Sequence, residues 1–136
     1  MQKADFIAYR ALCQEVRQLK AKLRELEAAM YGPRGQEFSL TPKGSGQGDG
    51  MLNVINYHIE LEKHYLEIKA AREAQQLAIE QAIDSLDDPG ERLVMRYRYI
   101  EGRDWKFIIA ELATLGYSER QVYRKHGYAL LKLKEV

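Results

Sequence analysis

Residues 104–133 read DWKFIIAELATLGYSERQVYRKHGYALLKL, and the punctuation of this stretch decides the fold. Asp104 stands at an N-cap position ahead of Trp105, Ile108, Ile109 and Leu112 at helical spacing, and Leu115-Gly116 closes that helix. Ser118 with Gln121 three residues on forms a capping box, while Tyr117 and Val122 occupy the two positions of a hydrophobic staple. Two short helices joined by a turn have the form of a helix-turn-helix. At about 100° per residue, Val122, His126, Ala129, Leu130 and Leu133 fall on one side of the second helix, and Arg120, Gln121, Arg124 and Tyr128 on the other. Arginine can donate a bidentate pair to guanine and glutamine can pair with adenine, and both lie in the first two turns, where a recognition helix reaches base edges. Lys125 and Tyr123 flank that face and suit phosphates, with Ser118 at the helix start beside them. Trp105 and His126 read as core filling. Leu131 falls on the outward side beyond the base-reading turns, where with Lys134 and Val136 it suits a protein partner.

Working upstream, Asp88-Pro89-Gly90-Glu91 is a compact helix start with proline at the first helical position. The helix it opens is predicted to run to about Glu101 and to bury Leu93, Val94, Tyr97 and Ile100. Arg92, Arg96 and Arg98 would lie outside, with Arg98 on phosphates, and Gly102 would end it. Residues 88–136 thus form an expected tri-helical unit. From Pro89 onward ten basic residues face six acidic ones, a balance of +4. Residues 51–88 carry three basic and eight acidic, a balance of −5, so the overall charge of +1 hides a basic end and an acidic middle.

The remainder reads as two long helices and a linker. Residues 9–30 place Tyr9, Leu12, Val16, Leu19, Leu23, Leu26 and Met30 at spacings of three or four, a narrow apolar seam. Residues 31–50 hold six of the ten glycines and two of the three prolines, which predicts a flexible linker. No strand precedes them and no Gly-Lys-Ser/Thr follows, so they do not form a phosphate loop. Residues 51–87 carry Leu52, Ile55, Ile59, Tyr65, Leu66, Ile68, Leu77, Ile79, Ile83 and Leu86 at helical spacing. The alanine and glutamine run 70–76 in their middle is expected to pack against small side chains. The two long helices would pair antiparallel within the chain or in a homodimer. The fold class expected is all-α.

A chain of 136 residues, 46% hydrophobic and 30% charged, has globular composition and room for one modest domain or two small units. Its single cysteine, Cys13, excludes an internal disulfide, and the opening MQKADFIAYR carries charges where a signal peptide would be apolar, so a cytoplasmic location is expected. The longest apolar run, Phe107-Ile108-Ile109-Ala110, is far short of the roughly 20 residues a membrane span needs, and no membrane partner is expected. His58, His64 and His126 lack metal-ligand spacing, and no nucleophile and base pair is evident. The expectation is therefore no enzyme, no cofactor and no metal.

The segment RLVMRYRYIEGRDWKFIIAELATLGYSERQVYRKHGYALLKL, residues 92–133, resembles region four of bacterial sigma factors, the helix-turn-helix that binds the minus-35 promoter element. The matching positions are Arg98 to Gly102, Ile109 to Leu112, Ser118, Val122, Ala129, Leu130 and Leu133. Nearly the whole chain is similar to the ArpU and RinA late-gene regulators of tailed phages and prophages. The likeness rests on the order of helices, the linker stretch Leu40 to Gly46, a WxxI-like segment at Trp105, and the motif Ser118, Arg120, Val122, Tyr123, Arg124, His126, Gly127, Ala129, Leu130. The resemblance implies a sequence-specific, double-stranded-DNA-binding transcription regulator of phage origin that activates late genes and touches RNA polymerase in the bacterial host cell. Two departures qualify it. The segment from Ile109 to Ser118 is about two residues longer than the usual turn, and nothing corresponds to the region that melts the minus-10 element, which favours an accessory activator over an initiation factor. The rival expectations are a DNA-packaging component like a small terminase subunit and a purely helical protein-interaction module.

Overall fold

The computed structural model describes residues 1–31 and 47–135, and these are all-α with no strand among them. Helix α1 spans Lys3–Tyr31 and α2 Gln47–Asp84. Helix α3 spans Pro89–Met95 and continues as a π-helical turn, Arg96–Ile100; α4 is Trp105–Ala113 and α5 Glu119–Leu133. The expected linker falls mostly outside the described residues, but its last four residues open α2 and Tyr31 closes α1. Val136 also lies outside them. No helix among the described residues is long and apolar enough to cross a membrane.

The chain divides into two compact units, Met1–Leu12 with Arg72–Val136, and Cys13–Ala71. These units cut across the segments read from the sequence. In the second unit, α1 and α2 run antiparallel, because Glu27 meets His58 at 3.1 Å while Glu15, twelve residues earlier, meets His64 at 3.9 Å. Lys22 lies over the Tyr57 ring, 5.4 Å from its centroid, in the same pair of helices. Cys13, Leu23, Val54 and Leu61 form the buried seam, with Tyr65 and Ile68 half-buried. The antiparallel pairing within one chain is therefore the one this structure adopts.

Two expectations for α2 need correction. Of the apolar residues counted at one helical spacing, Leu52, Ile55, Ile59, Leu66 and Leu77 are exposed, whereas Ile79, Ile83 and Leu86 are buried. The helix carries two apolar stripes at the same seven-residue spacing, and the one through Val54 and Leu61 is buried against α1. The alanine run does not pack inward either: Ala70, Ala71 and Ala74 are exposed, while Arg72 and Gln76 hold the half-buried positions there. These alanines serve helix propensity.

In the first unit, Ile79, Ala82, Ile83 and Leu86 of α2 are buried together with Val94 and Met95 of α3 and with Phe6 and Tyr9 of α1. The Phe6 ring lies 5.0 Å from that of Tyr99, and the Met1 amine donates to the Leu133 carbonyl at 2.8 Å. The start of α1 is thus built into the helix-turn-helix unit. The burial pattern of residues 89–100 also differs from expectation. Met95 and Tyr99 are buried, whereas Leu93, Tyr97 and Ile100 are only half-buried. The π turn is the physical reason: Glu101 N–H reaches back five residues to the Arg96 carbonyl at 3.0 Å, and the wider turn rotates Tyr99 inward. Arg92 and Arg96 do not project freely. Arg92 donates to the Leu86 carbonyl at 2.5 Å and Arg96 to Asp84 at 2.8 Å, so both satisfy the end of α2 and the loop after it.

Candidate nucleic-acid interface

Helices α4 and α5 are set by caps the sequence spells out. The Asp104 carboxylate accepts the Phe107 N–H at 2.8 Å. Ser118 Oγ accepts the Gln121 N–H at 3.2 Å while Gln121 Oε1 accepts the Ser118 N–H at 2.8 Å, a closed capping box. Between them the chain turns at Gly116, whose φ of 90° lies in the left-handed region that suits glycine, and the Tyr117 N–H returns to the Leu112 carbonyl at 3.1 Å. Ile108, Leu112, Val122 and Val94 form the fully buried core under the motif, with Tyr97, Trp105, Phe107, Ile109 and Tyr117 packed around it.

That core fixes which face of α5 points out. Val122, Ala129 and Leu133 are buried, and Arg120, Gln121, Arg124, Tyr128 and Leu131 are exposed, Leu131 by 64%. Arg120 and Arg124 lie one turn apart on that face. Tyr123 is exposed as well, its ring 5.1 Å from Trp105. Behind it, His126 hydrogen-bonds the Tyr99 hydroxyl at 2.8 Å and meets Trp105 edge-on at 4.8 Å. Burial, helped by the positive charges of Lys3 and Arg98, holds the His126 imidazole down at about 4, so it is neutral at physiological pH. Burial likewise pushes the Tyr99 phenol up.

The other residues assigned to DNA are engaged by the protein itself. Lys125 Nζ lies 2.6 Å from the Asp88 carboxylate and 4.9 Å from the Tyr117 ring centroid, tying α5 to the cap of α3. This hydrogen bond lowers the Asp88 carboxyl and raises the Lys125 ammonium. Lys132 does the same one helix end later: its Nζ lies 2.9 Å from both oxygens of Glu91, a carboxylate only 2% exposed, and the bond raises the Lys132 ammonium. The Arg98 guanidinium stacks 4.9 Å from the Trp105 ring centroid and donates to the Arg103 carbonyl at 3.2 Å. Ser118 and Gln121 are the cap, so Gln121 retains only its amide N–H donors for a base while that cap stands. Lys106, exposed in the first turn of α4, was missed by the sequence reading, although its place two residues after the Asp104 cap marked it.

In the other unit, Glu27, His58 and Glu62 bring three donor atoms within 4.8 Å of one another, a grouping that histidine spacing along the chain does not reveal. His58 already hydrogen-bonds Glu27 there, and the set acts as a polar bridge between α1 and α2. No protein-family model matches this chain, and no curated protein or solved structure matches it significantly.

Proposed function

We propose that the unit containing α3, α4 and α5 binds double-stranded DNA with α5 in the major groove, and that the chain is a sequence-specific transcription regulator of phage or prophage origin acting on late genes. The observation that carries this reading is the exposed face of α5. Arg120 and Arg124 stand one turn apart, free of any ion pair shorter than 4.0 Å among the described residues, with Tyr128 beside them. That face is displayed by a buried core and two capped helices in helix-turn-helix order. Arg120 and Arg124 read bases, and Gln121 contributes amide donors. Lys106 at the start of α4 grips phosphate where the first helix of such a motif crosses the backbone. Lys125 and Arg98 act chiefly by holding α5 and the α3–α4 turn in place. The resemblance to sigma region four supports RNA polymerase as a second partner, with exposed Leu131 as its contact.

Selection of bound sequences from a random duplex pool, followed by gel-shift titration of the winner, tests the reading. The expected result is one enriched motif bound at least about a thousandfold tighter than random duplex, with affinity falling steeply as salt rises. Equal binding to selected and random duplex would overturn it.

A further inference from the structure

The outward face of α5 offers hydrogen-bond donors and lacks acceptors. At about 100° per residue, Arg120, Gln121 and Arg124 fall within about 100° of one another on the side away from Val122, and all three are exposed. Each guanidinium carries N–H donors and no acceptor. Gln121 would ordinarily supply both kinds of group, but its Oε1 accepts the Ser118 N–H at 2.8 Å. That bond also fixes which way the amide faces, because the NH2 end cannot accept a backbone N–H. The oxygen is turned to the N-cap, and the two N–H bonds are what Gln121 has left for a ligand. Glu119, the one carboxylate of α5, lies about 60° from Val122 and about 100° round the helix from Arg120, off this face. Tyr128, whose hydroxyl can accept, stands a turn beyond Arg124.

We infer that this donor-only face selects guanine, and that the capping box keeps Gln121 from reading adenine. The inference deepens the DNA-binding reading above and rests on it. In the major groove guanine shows two acceptors, O6 and N7, and thymine shows O4, whereas adenine and cytosine each present an amine that needs an acceptor. Arg120 and Arg124 each match both guanine acceptors at once. At 1.5 Å per residue they stand about 6 Å apart along the helix axis, close to two base steps of about 3.4 Å. The core of the bound site is therefore two guanines about two base pairs apart. The paired contact of glutamine to adenine needs an oxygen for the N6 amine beside an N–H for N7, and the Gln121 oxygen is already engaged by Ser118. Its donors suit guanine or thymine at the adjoining position. A side chain that matches adenine when read from the sequence is turned by its own cap into a selector against it.

The duplex selected by the full chain from a random pool, resynthesised with 7-deazaguanine or 7-deazaadenine at single positions, tests this, because each analogue pairs normally but lacks the N7 acceptor. The expected site holds two guanines about two base pairs apart, and 7-deazaguanine at either should weaken binding about tenfold. At any adenine of the site, 7-deazaadenine should change binding less than about twofold. Gln121→Glu separates cap from contact. Glutamate at this position keeps a capping box, so helical content and melting temperature should match the parent. Its free carboxylate oxygen accepts an amine, so a second selection with this variant should replace guanine or thymine at the adjoining position with cytosine. A selected site without guanine, or one in which 7-deazaguanine costs less than about twofold, overturns the inference and leaves specific DNA binding standing. So does an adenine whose 7-deaza replacement weakens the parent about tenfold and leaves Gln121→Ala unchanged, since Gln121 would then be reading it. If Gln121→Glu selects the same site as the parent, Gln121 selects nothing. A pool with no enriched motif overturns the DNA-binding reading itself, and the inference with it.

Discussion

The two units solve the same problem, burying helix faces, by different means. The unit containing α3 to α5 surrounds its core with five elements, so Val94, Met95, Ile108, Leu112 and Val122 are fully buried, and the starts of α3, α4 and α5 each carry a side-chain cap. The unit formed by residues 13–71 has only two helices facing each other. Its buried seam, Cys13, Leu23, Val54 and Leu61, is never fully dry, and half of each helix is left to solvent. Closure from several directions makes a rigid frame that can hold Arg120 and Arg124 in a fixed geometry. A two-helix seam leaves the opposite face of each helix exposed, as Leu52, Ile55, Ile59 and Leu66 are on α2.

The largest expected effect breaks the comparison directly. Leu112→Ala empties a site with no exposed surface and should cost about 3–5 kcal/mol, whereas Leu61→Ala, at the partly wetted seam, should cost about 2 kcal/mol. Urea denaturation read by circular dichroism checks the two values. Hydrogen exchange should show Leu112→Ala loosening residues 89–133 before residues 13–71. Equal costs would mean that the two-helix seam is as dry as the core of the other unit.

Next in size is the contrast between Arg124, proposed to read bases, and Lys125, which pairs with Asp88. Arg124→Ala should lose about 1–3 kcal/mol on the selected site, relax its sequence preference and leave the melting temperature unchanged. Lys125→Ala should instead lower stability by about 1 kcal/mol, because it frees Asp88 at the start of α3, and should weaken all duplexes alike. Gel-shift titrations on selected and random duplex, paired with melts, separate the two. An Arg124→Ala variant that loses affinity equally on both duplexes would move base readout off this residue.

A third effect lies in pH and sits in the unit that contains α3 to α5. In the folded chain His126 takes up its proton at about 4, against 6.5 for an ordinary imidazole, so acid favours the unfolded form. The contribution is complete above about pH 6.5 and is lost as pH falls from there toward 4. Allowing for partial exposure of the ring, the loss by pH 4 is about 1–2 kcal/mol. The Asp88 carboxyl, lowered by Lys125, loses its contribution only below its ordinary value of 3.8, so the histidine window comes first. Stability measured at pH 7 and pH 5 should differ in the parent chain and differ less in His126→Gln. A parent chain with no change between them would place His126 in water.

How much of this was legible in the sequence follows the range of the forces involved. Asp88, Asp104 and the Ser118–Gln121 box act over two or three residues, and all appear in the structure as read. The exposed face of α5 was legible for the same reason, since Val122, Ala129 and Leu133 fix its opposite side. Tyr99 was misread because a π turn changes the phase that a 3.6-residue period assumes. The two stripes of α2 could not be told apart by spacing, because Val54 and Leu61 repeat at the same seven residues as Leu52, Ile59 and Leu66. The packing of Phe6 against Tyr99 joins positions more than ninety residues apart, and no local pattern announces it. Lys125 and Arg98 were legible as basic but not as occupied, since Asp88 and Trp105 reach them only in three dimensions.

The smallest effect sharpens the link between frame and face. Gly127 sits inside α5, where glycine costs a helix about 0.5–1 kcal/mol relative to alanine, and a Cβ built there would meet nothing within 4 Å. Its φ requires no glycine, and packing gives no reason to leave the position bare. It lies on the outward side, one turn beyond Arg124, where a side chain would stand between the helix and anything approaching it. Gly127→Ala should therefore raise the stability of the isolated chain by about 0.5–1 kcal/mol, read as an upward shift in the denaturation midpoint. If a DNA backbone approaches α5 at this point, the same variant should bind the selected duplex several-fold more weakly despite being more stable. Tighter or unchanged binding would mean that the groove is entered only by the first two turns of the helix, leaving Arg120 and Arg124 to carry the contact.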